Sequence, residues 1–335
     1  MHVVYDCFSF FNELDLLEIR LNVLKDVVDK FVLVEATQTH TGKPKPLYYK
    51  DNLSRFNHFA DKIIYIVVDN FPSASETDSE RQASWMRENF QRNAVARGLV
   101  DAKGDDLIMV SDVDEIPSPA AVRAASRKKG VVVCDQLMCN YYFNFVSFTT
   151  PIWPGTKIVR YKEFSSPETY AKMLPSIYVD ERVNVGPSAT RLRYLTPTSR
   201  IRKAGWHFSY LGGAKAIVSK IGSIAVEYRD GNNTREEWVA KTIEQGLDVC
   251  GCGRRFFAVP LDDRFPVWIR ENKERFSDLI LTPDEDYYHR TSWDRCVCYL
   301  RGWIRRNGAK LIPRPFKNFL FEKVYRRIVK DPIVI

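Results

Sequence analysis

A strand, a helix and a second strand within the first 35 residues commit this chain to a parallel sheet. Val3–Cys7 is short and mostly apolar, as a buried first strand would be. Asn12 stands where an N-cap belongs, and Leu14, Leu17, Leu21 and Leu24 then recur at helical spacing, giving one apolar stripe able to face a sheet. Asp26–Lys30 ends that helix, and Phe31–Glu35 is apolar again. Two strands joined through a helix lie parallel in one sheet, with a right-handed crossover.

The pattern continues. Ile63–Val68 reads as a third strand, and Glu80–Arg97 as a helix carrying Trp85, Arg87, Phe90, Arg92 and Asn93. On such a helix the aromatics can pack on the sheet while the guanidiniums reach round its edge. Leu107–Val110 is a fourth strand, Pro119–Lys128 a helix and Val131–Asp135 a further strand. Helices are expected again at Gly213–Glu227, Thr234–Gln245 and Val267–Phe276. The expected class is α/β, a mostly parallel central sheet flanked by helices. No Gly-x-Gly-x-x-Gly follows the first strand, which argues against a dinucleotide site, and Thr41-Gly42-Lys43 lacks the upstream glycine of a Walker sequence.

Chemistry concentrates after the fourth strand, in Ser111-Asp112-Val113-Asp114-Glu115-Ile116-Pro117. Ligands of open α/β sheets bind at the carboxyl ends of the strands. In extended backbone Asp112 and Asp114 would project to the same side, so a hard divalent cation could be shared between them and a phosphate. On spacing alone, a solvated acidic turn explains the pair equally well. Further on, Tyr141, Tyr142, Phe143, Phe145, Phe148 and Trp153 crowd together, either to wall a pocket that stacks on sugar faces or as ordinary core. Gly205-Trp206-His207-Phe208-Ser209 sets a histidine between two aromatics, just before Gly212-Gly213, where backbone can approach a ligand closely.

Charge and cysteine usage bound the remaining possibilities. Residues 290–335 hold 12 Lys/Arg against three Asp/Glu, a net +9 out of +8 for the whole chain, so the basicity belongs to the tail. A uniformly basic nucleic-acid binder would look different, and no nucleic-acid partner is expected. Trp303, Ile304, Leu311, Phe316, Phe319 and Tyr325 interleave with those charges, suiting an amphipathic helix on an anionic membrane surface. Seven cysteines are odd in number and thinly spread, which favours reduced thiols. Cys250-Gly-Cys252 and Cys296-Val-Cys298 are spaced too closely for paired zinc ligands. No run of about 18 apolar residues occurs, and no basic segment followed by an apolar one opens the chain. The expected localisation is cytoplasmic, peripheral on the inner face of a membrane through the tail.

Four stretches in order carry a resemblance. Asp6–Arg20, Val34–Thr37 leading into Gly42–Leu47, Ser111–Pro117 and Gly205–Ser209 resemble glycosyltransferase family 17, and Trp268–Asn272 with Arg275-Phe276 extends the likeness to about residue 280. The resemblance implies a GT-A-type fold, an Asp-x-Asp site for Mn2+ or Mg2+, a UDP-sugar donor such as UDP-GlcNAc, and an inverting transfer that forms a β-linkage. It implies a catalytic domain over residues 1–285, with a nucleotide-binding half at 1–135 and an acceptor-binding half at 136–285; the basic amphipathic extension at 286–335 lies outside the likeness. The metal would be held by Asp114, Asp112 and His207. Nucleotide-sugar contacts would come from Glu35, Thr37, Arg87, Arg92 and Asp112. Among the downstream carboxylates Asp180, Glu181, Glu227 and Asp230, Glu227 is the expected general base, and Glu115 would preorganise the aspartates. The acceptor would be a glycan or lipid-linked glycan. Two alternatives share parts of this pattern: a catalytically silent glycan- or membrane-binding module of the same fold, and a metal-dependent nucleotidyltransferase.

Overall fold

The computed structural model describes residues 2–73, 79–148, 150–166, 188–225 and 231–283. Its strands are β1 Val4–Phe10, β2 Lys30–Ala36, β3 Ile63–Val68, β4 Leu107–Asp112, β5 Glu115–Pro117, β6 Val132–Asn140, β7 Phe145–Ser147, β8 Ile152–Arg160, β9 Ser199–Ile201, β10 Gly205–Ser209 and β11 Phe256–Ala258. The helices are α1 Leu14–Leu24, α2 Tyr48–Asp51, α3 Glu80–Asn93, α4 Pro119–Ala125, α5 Tyr161–Phe164, α6 Ala189–Tyr194, α7 Gly213–Ser223, α8 Glu236–Glu244 and α9 Val267–Glu271. All strands join one sheet, ordered β11-β7-β6-β8-β4-β1-β2-β3, with β9 and β10 beside β6 and β5 beside β10.

The α/β class read from the sequence holds, and the parallel part is the one the first 112 residues encode. β3, β2, β1 and β4 are parallel. Beyond β4 the sheet is largely antiparallel: β8 runs against both β4 and β6, and β7 against β6 and β11. Connection length explains the switch. Only four residues separate β6 from β7 and four separate β7 from β8, too few for the crossover that parallel strands need.

Alternation along the parallel strands buries both faces. Val4, Phe8 and Phe10 of β1 join Phe31, Leu33, Leu107 and Met109 under α1 and α4, while Tyr5 and Cys7 join Val32, Val34, Ile108 and Val110 on the other face. A third apolar cluster, with Tyr141, Tyr210, Ile217, Val239 and Phe256, seats α7 and α8. The aromatic stretch after β6 is thus mostly core, with Trp153 alone of those residues facing the cleft described below.

Several boundaries shift from expectation. Glu13 takes the N-cap position of α1 in place of Asn12 without a capping hydrogen bond, its carboxylate instead accepting from the preceding backbone N–H groups of Phe11 and Asn12. β6 runs on to Asn140, and α7 and α9 stop at Ser223 and Glu271. Gly212 and Gly213, at φ +97° and +79°, turn the chain from β10 into α7 and do not line the cleft. The tail from 286 onward lies outside the described residues.

Candidate active site

Arg20 is the residue on which the site is built. It sits on α1 with no exposed surface, and its Nε and Nη2 grip Asp6 of β1 at 2.7 and 2.6 Å. Its Nη1 donates to the carbonyls of Asp112, Val113 and Glu115 at 3.0, 3.2 and 2.9 Å, and Nη2 also reaches Ser111 Oγ at 2.6 Å. Three carbonyls drawn to one nitrogen curl the chain between β4 and β5. Asp112 and Asp114 therefore do not continue in extended backbone as their spacing suggested: Asp112 is the last residue of β4 and Asp114 lies in the turn.

The turn is closed from the other side by β10. His207 pairs with Glu115 in antiparallel register, and the Phe208 N–H donates to the Asp114 carbonyl at 2.9 Å. Gly205 permits this approach, because a Cβ there would meet the Ile116 carbonyl oxygen at 2.1 Å. Glu115 is fully buried and accepts from Asp112 N–H, Trp153 Nε1 and both Arg193 Nη atoms, so it fixes the strand end as expected of it.

The two aspartates have different surroundings. Asp112, one-third exposed, faces Arg92 Nη2 at 2.7 Å and Arg193 Nη2 at 2.9 Å. Asp114 faces Lys220 Nζ at 3.2 Å and His207 Nε2 at 3.6 Å. Burial pushes both carboxyls up, but Arg193 and Arg92 hold Asp112 well below the usual carboxylate range, and Lys220 and His207 do the same for Asp114. Both stay ionised at neutral pH. Burial works against the charge on Lys220, yet Asp114 and Glu13, the latter at 3.0 Å, raise its pKa above the ordinary lysine value. His207 is held between the Trp153 ring, stacked at 4.6 Å between centroids, and Met138 Sδ at 3.2 Å from Nδ1.

These groups line a cleft of about 480 Å³ at the carboxyl ends of β1, β4, β6 and β10. At the β1 end it is walled by Phe11, Gln38, His40, Lys45, Trp85 and Glu88, and at the β6 end by Asn140, Trp153, Ser209 and Arg254. Arg92, Asp112, Asp114 and His207 meet there as the sequence reading expected. Glu35 stands outside it. Its buried carboxylate is occupied by Lys45 Nζ at 3.1 Å, Tyr65 OH at 2.8 Å and the Tyr49 N–H, so it acts on the cleft through Lys45, which does line it. Thr37 pairs with the Val68 carbonyl, and Arg87 donates to the His40 carbonyl; neither lines the cleft. Glu227 lies outside the described residues. Arg193 and Lys220 were not singled out from the sequence, because a basic residue in an irregular stretch or near a helix end carries no periodic signal.

Whether a divalent cation suits these residues can be judged from the donors. Asp114 Oδ1 and His207 Nε2, 3.6 Å apart, can both reach one ion at about 2.1 Å. Both Asp112 oxygens are instead taken by guanidiniums, and among the described residues no group of three or more His, Cys, Asp or Glu gathers to hold a metal. Asp114 and His207 fit; completion of the shell would fall to diphosphate oxygens and water, which Mg2+ and its like commonly use.

Comparison with known proteins adds the following. Residues 1–166 match the sequence model of Glycosyltransferase family 17. Beta-1,4-mannosyl-glycoprotein 4-beta-N-acetylglucosaminyltransferase of Rattus norvegicus is 32% identical over 117 residues, 34% of this chain and 22% of that protein. The Homo sapiens protein of the same name is 34% identical over 109 residues, 32% of this chain and 20% of that protein. The match thus spans about a fifth of the length of these relatives. Among solved structures, M. tuberculosis glucosyl-3-phosphoglycerate synthase is similar at a TM-score of 0.29 and 13% identity, covering 80% of this chain and 92% of that one.

Proposed function

We propose, for a chain whose residues 1–166 match the model of Glycosyltransferase family 17, that the protein moves a sugar, GlcNAc by analogy with its named relatives, from a UDP-sugar to a glycan or lipid-linked glycan with inversion to a β-linkage. The observation that carries this reading is the ring of cations around two ionised aspartates at the strand ends: Arg92, Arg193 and Lys220 with Asp112, Asp114 and His207. A diphosphate leaving group develops negative charge as its bond to the sugar breaks, and fixed cations in a partly buried cleft oppose that charge without reorganising. Held by Asp114 and His207, Mn2+ or Mg2+ would add Lewis-acid neutralisation of the same diphosphate. Arg92 and Arg193 present guanidinium forks to phosphate oxygens. Lys45 at the β1 end carries the influence of Glu35 toward the nucleotide.

Inversion requires a base for the acceptor hydroxyl proton on the face opposite the leaving group. Each described carboxylate lining the cleft is already paired with a cation: Glu13 and Asp114 with Lys220, Asp112 with Arg92 and Arg193, Glu88 with Arg92. That pairing supports a base from elsewhere in the chain, and Glu227, just beyond α7, is the residue we assign. Residues 1–135 serve the nucleotide in this scheme and 136–285 the acceptor.

A screen of UDP-, GDP- and CMP-sugars, scored by thermal stabilisation and by sugar release with Mn2+ present, tests the reading. UDP-GlcNAc is expected to stabilise the protein and to be turned over. If no nucleotide sugar shifts the melting curve, the cleft does not bind donors and the proposal fails.

No helix among the described residues is long and apolar enough to cross a membrane. The basic, aromatic-rich tail supports contact with an anionic membrane face instead. Removing residues 293–335 is expected to abolish sedimentation with phosphatidylserine vesicles while leaving donor turnover intact. Equal sedimentation of the two chains would rule that contact out.

A further inference from the structure

Asp114 stands between two claims on its charge. Its Oδ1 faces His207 Nε2 at 3.6 Å, the pair able to hold a divalent cation, and its Oδ2 accepts from Lys220 Nζ at 3.2 Å. A carboxylate carries a single negative charge, and here Lys220 already matches it. A divalent cation arriving at Asp114 and His207 therefore meets a positive neighbour on the same carboxylate, in a partly buried site where like charges repel more strongly than in water.

Lys220 is kept in the cleft by more than Asp114. Its Nζ is also 3.0 Å from Glu13 Oε1 and lies 5.8 Å from the centre of the Tyr210 ring. Glu13 is itself fixed, because its Oε2 accepts from the backbone N–H groups of Phe11 and Asn12. The end of α7 that carries the lysine is pinned across the cleft: the Thr41 N–H donates to the Ser223 carbonyl at 3.3 Å, and Thr41 Oγ1 to the Gly222 carbonyl at 3.1 Å. What can change is the flexible four-carbon stem of the lysine. On leaving Asp114, Nζ keeps Glu13 and stays in the cleft, which both residues line.

We infer that Lys220 is a counter-ion that Asp114 exchanges for the divalent cation, so that the metal binds poorly to the free protein and well only together with the donor diphosphate, whose oxygens then take Lys220. Charge pairing is conserved through the exchange. Before it, Lys220 neutralises Asp114; after it, the cation does, and the ammonium, still beside Glu13, turns its rotatable N–H donors to phosphate oxygens. The inference rests on the donor reading of the cleft and adds an order to it: cation and nucleotide enter as a pair. It also separates Lys220 from Arg92 and Arg193, whose aspartate is Asp112.

The test is titration of Mn2+ into the full chain, without nucleotide and with UDP, followed by calorimetry and by loss of the free-ion electron paramagnetic resonance signal, with allowance for the Mn2+ that UDP holds in solution. Bound UDP is expected to raise the wild-type affinity for Mn2+ about tenfold or more, within the usual range of coupling between two sites. Lys220→Met is expected to take Mn2+ without nucleotide about tenfold more tightly than the wild type, and to gain less from UDP, because the competing charge is gone. Lys220→Arg keeps a positive charge and stays closer to the wild type than to Lys220→Met. Adding Asp114→Asn to Lys220→Met removes the gain, which places it at this carboxylate. A merely structural lysine would lower the melting temperature and leave Mn2+ affinity where it was. Equal or weaker Mn2+ binding by Lys220→Met overturns the inference, as does a gain that survives Asp114→Asn. Should Lys220→Met not fold, the wild type decides: a chain that binds UDP and takes Mn2+ equally well without it overturns the exchange. Failure of the wild type to bind UDP even with Mn2+ present removes the donor reading instead, and the comparison of free-protein affinities still judges Lys220.

Discussion

Arg20→Met is expected to cost the protein on the order of 3–5 kcal/mol of stability, read as a fall in the urea midpoint with the slope unchanged. The substitution keeps the length and apolar bulk of the side chain, so packing loss contributes little. What it removes is, among the described residues, the only charge paired with Asp6, whose carboxylate has no exposed surface. An uncompensated buried charge is among the most damaging single changes a fold can suffer. Three carbonyls, of Asp112, Val113 and Glu115, lose their shared donor in the same step. Combining Arg20→Met with Asp6→Leu removes both charges and is expected to recover part of the stability. It should recover none of the turnover, since the aspartate turn stays unheld. A loss below about 1 kcal/mol for the single variant would place the pair in the class of weak surface bridges and sink the idea that it staples the site.

Asp114→Asn is expected to lower sugar transfer by about 10²–10³-fold, the range seen when one preorganised electrostatic group is removed from an active site. The amide is nearly isosteric, so the fold should persist. Lys220 loses the charge it faces, and His207 loses its carboxylate neighbour. Lys220 keeps Glu13, which limits the effect on stability and separates it from the effect on rate. Turnover within a few-fold of wild type would mean that the site has been mislocated. The matching change at Asp112 is expected to be milder toward the cation and harsher toward the arginines, because its partners are Arg92 and Arg193.

Much of the parallel half was legible from residues 3 to 112, because short apolar strands separated by a leucine stripe leave few other folds open. The position of Asp112 and Asp114 at a strand end followed directly. Their division of labour did not. It depends on Arg20, Arg193 and Lys220, which arrive from 92, 81 and 106 residues away in sequence, and a charged residue's partner is set by three-dimensional packing that no local period encodes. The antiparallel half was hidden for a related reason: short strands among aromatics give alternation too brief to separate from loop. Glu35 was read as a ligand contact because it ends a strand in the nucleotide half, whereas the nearby Lys45, Tyr49 and Tyr65 occupy its oxygens first.

The Arg20 clamp also bears on how the chain is made. A ribosome delivers α1 and β1 long before β4, so for much of synthesis the guanidinium has Asp6 alone and its remaining donors must stay with water. The turn that bears the aspartates completes only when residue 115 emerges and these early segments receive it. The aspartate turn is thus completed late, by partners that the first two dozen residues supply.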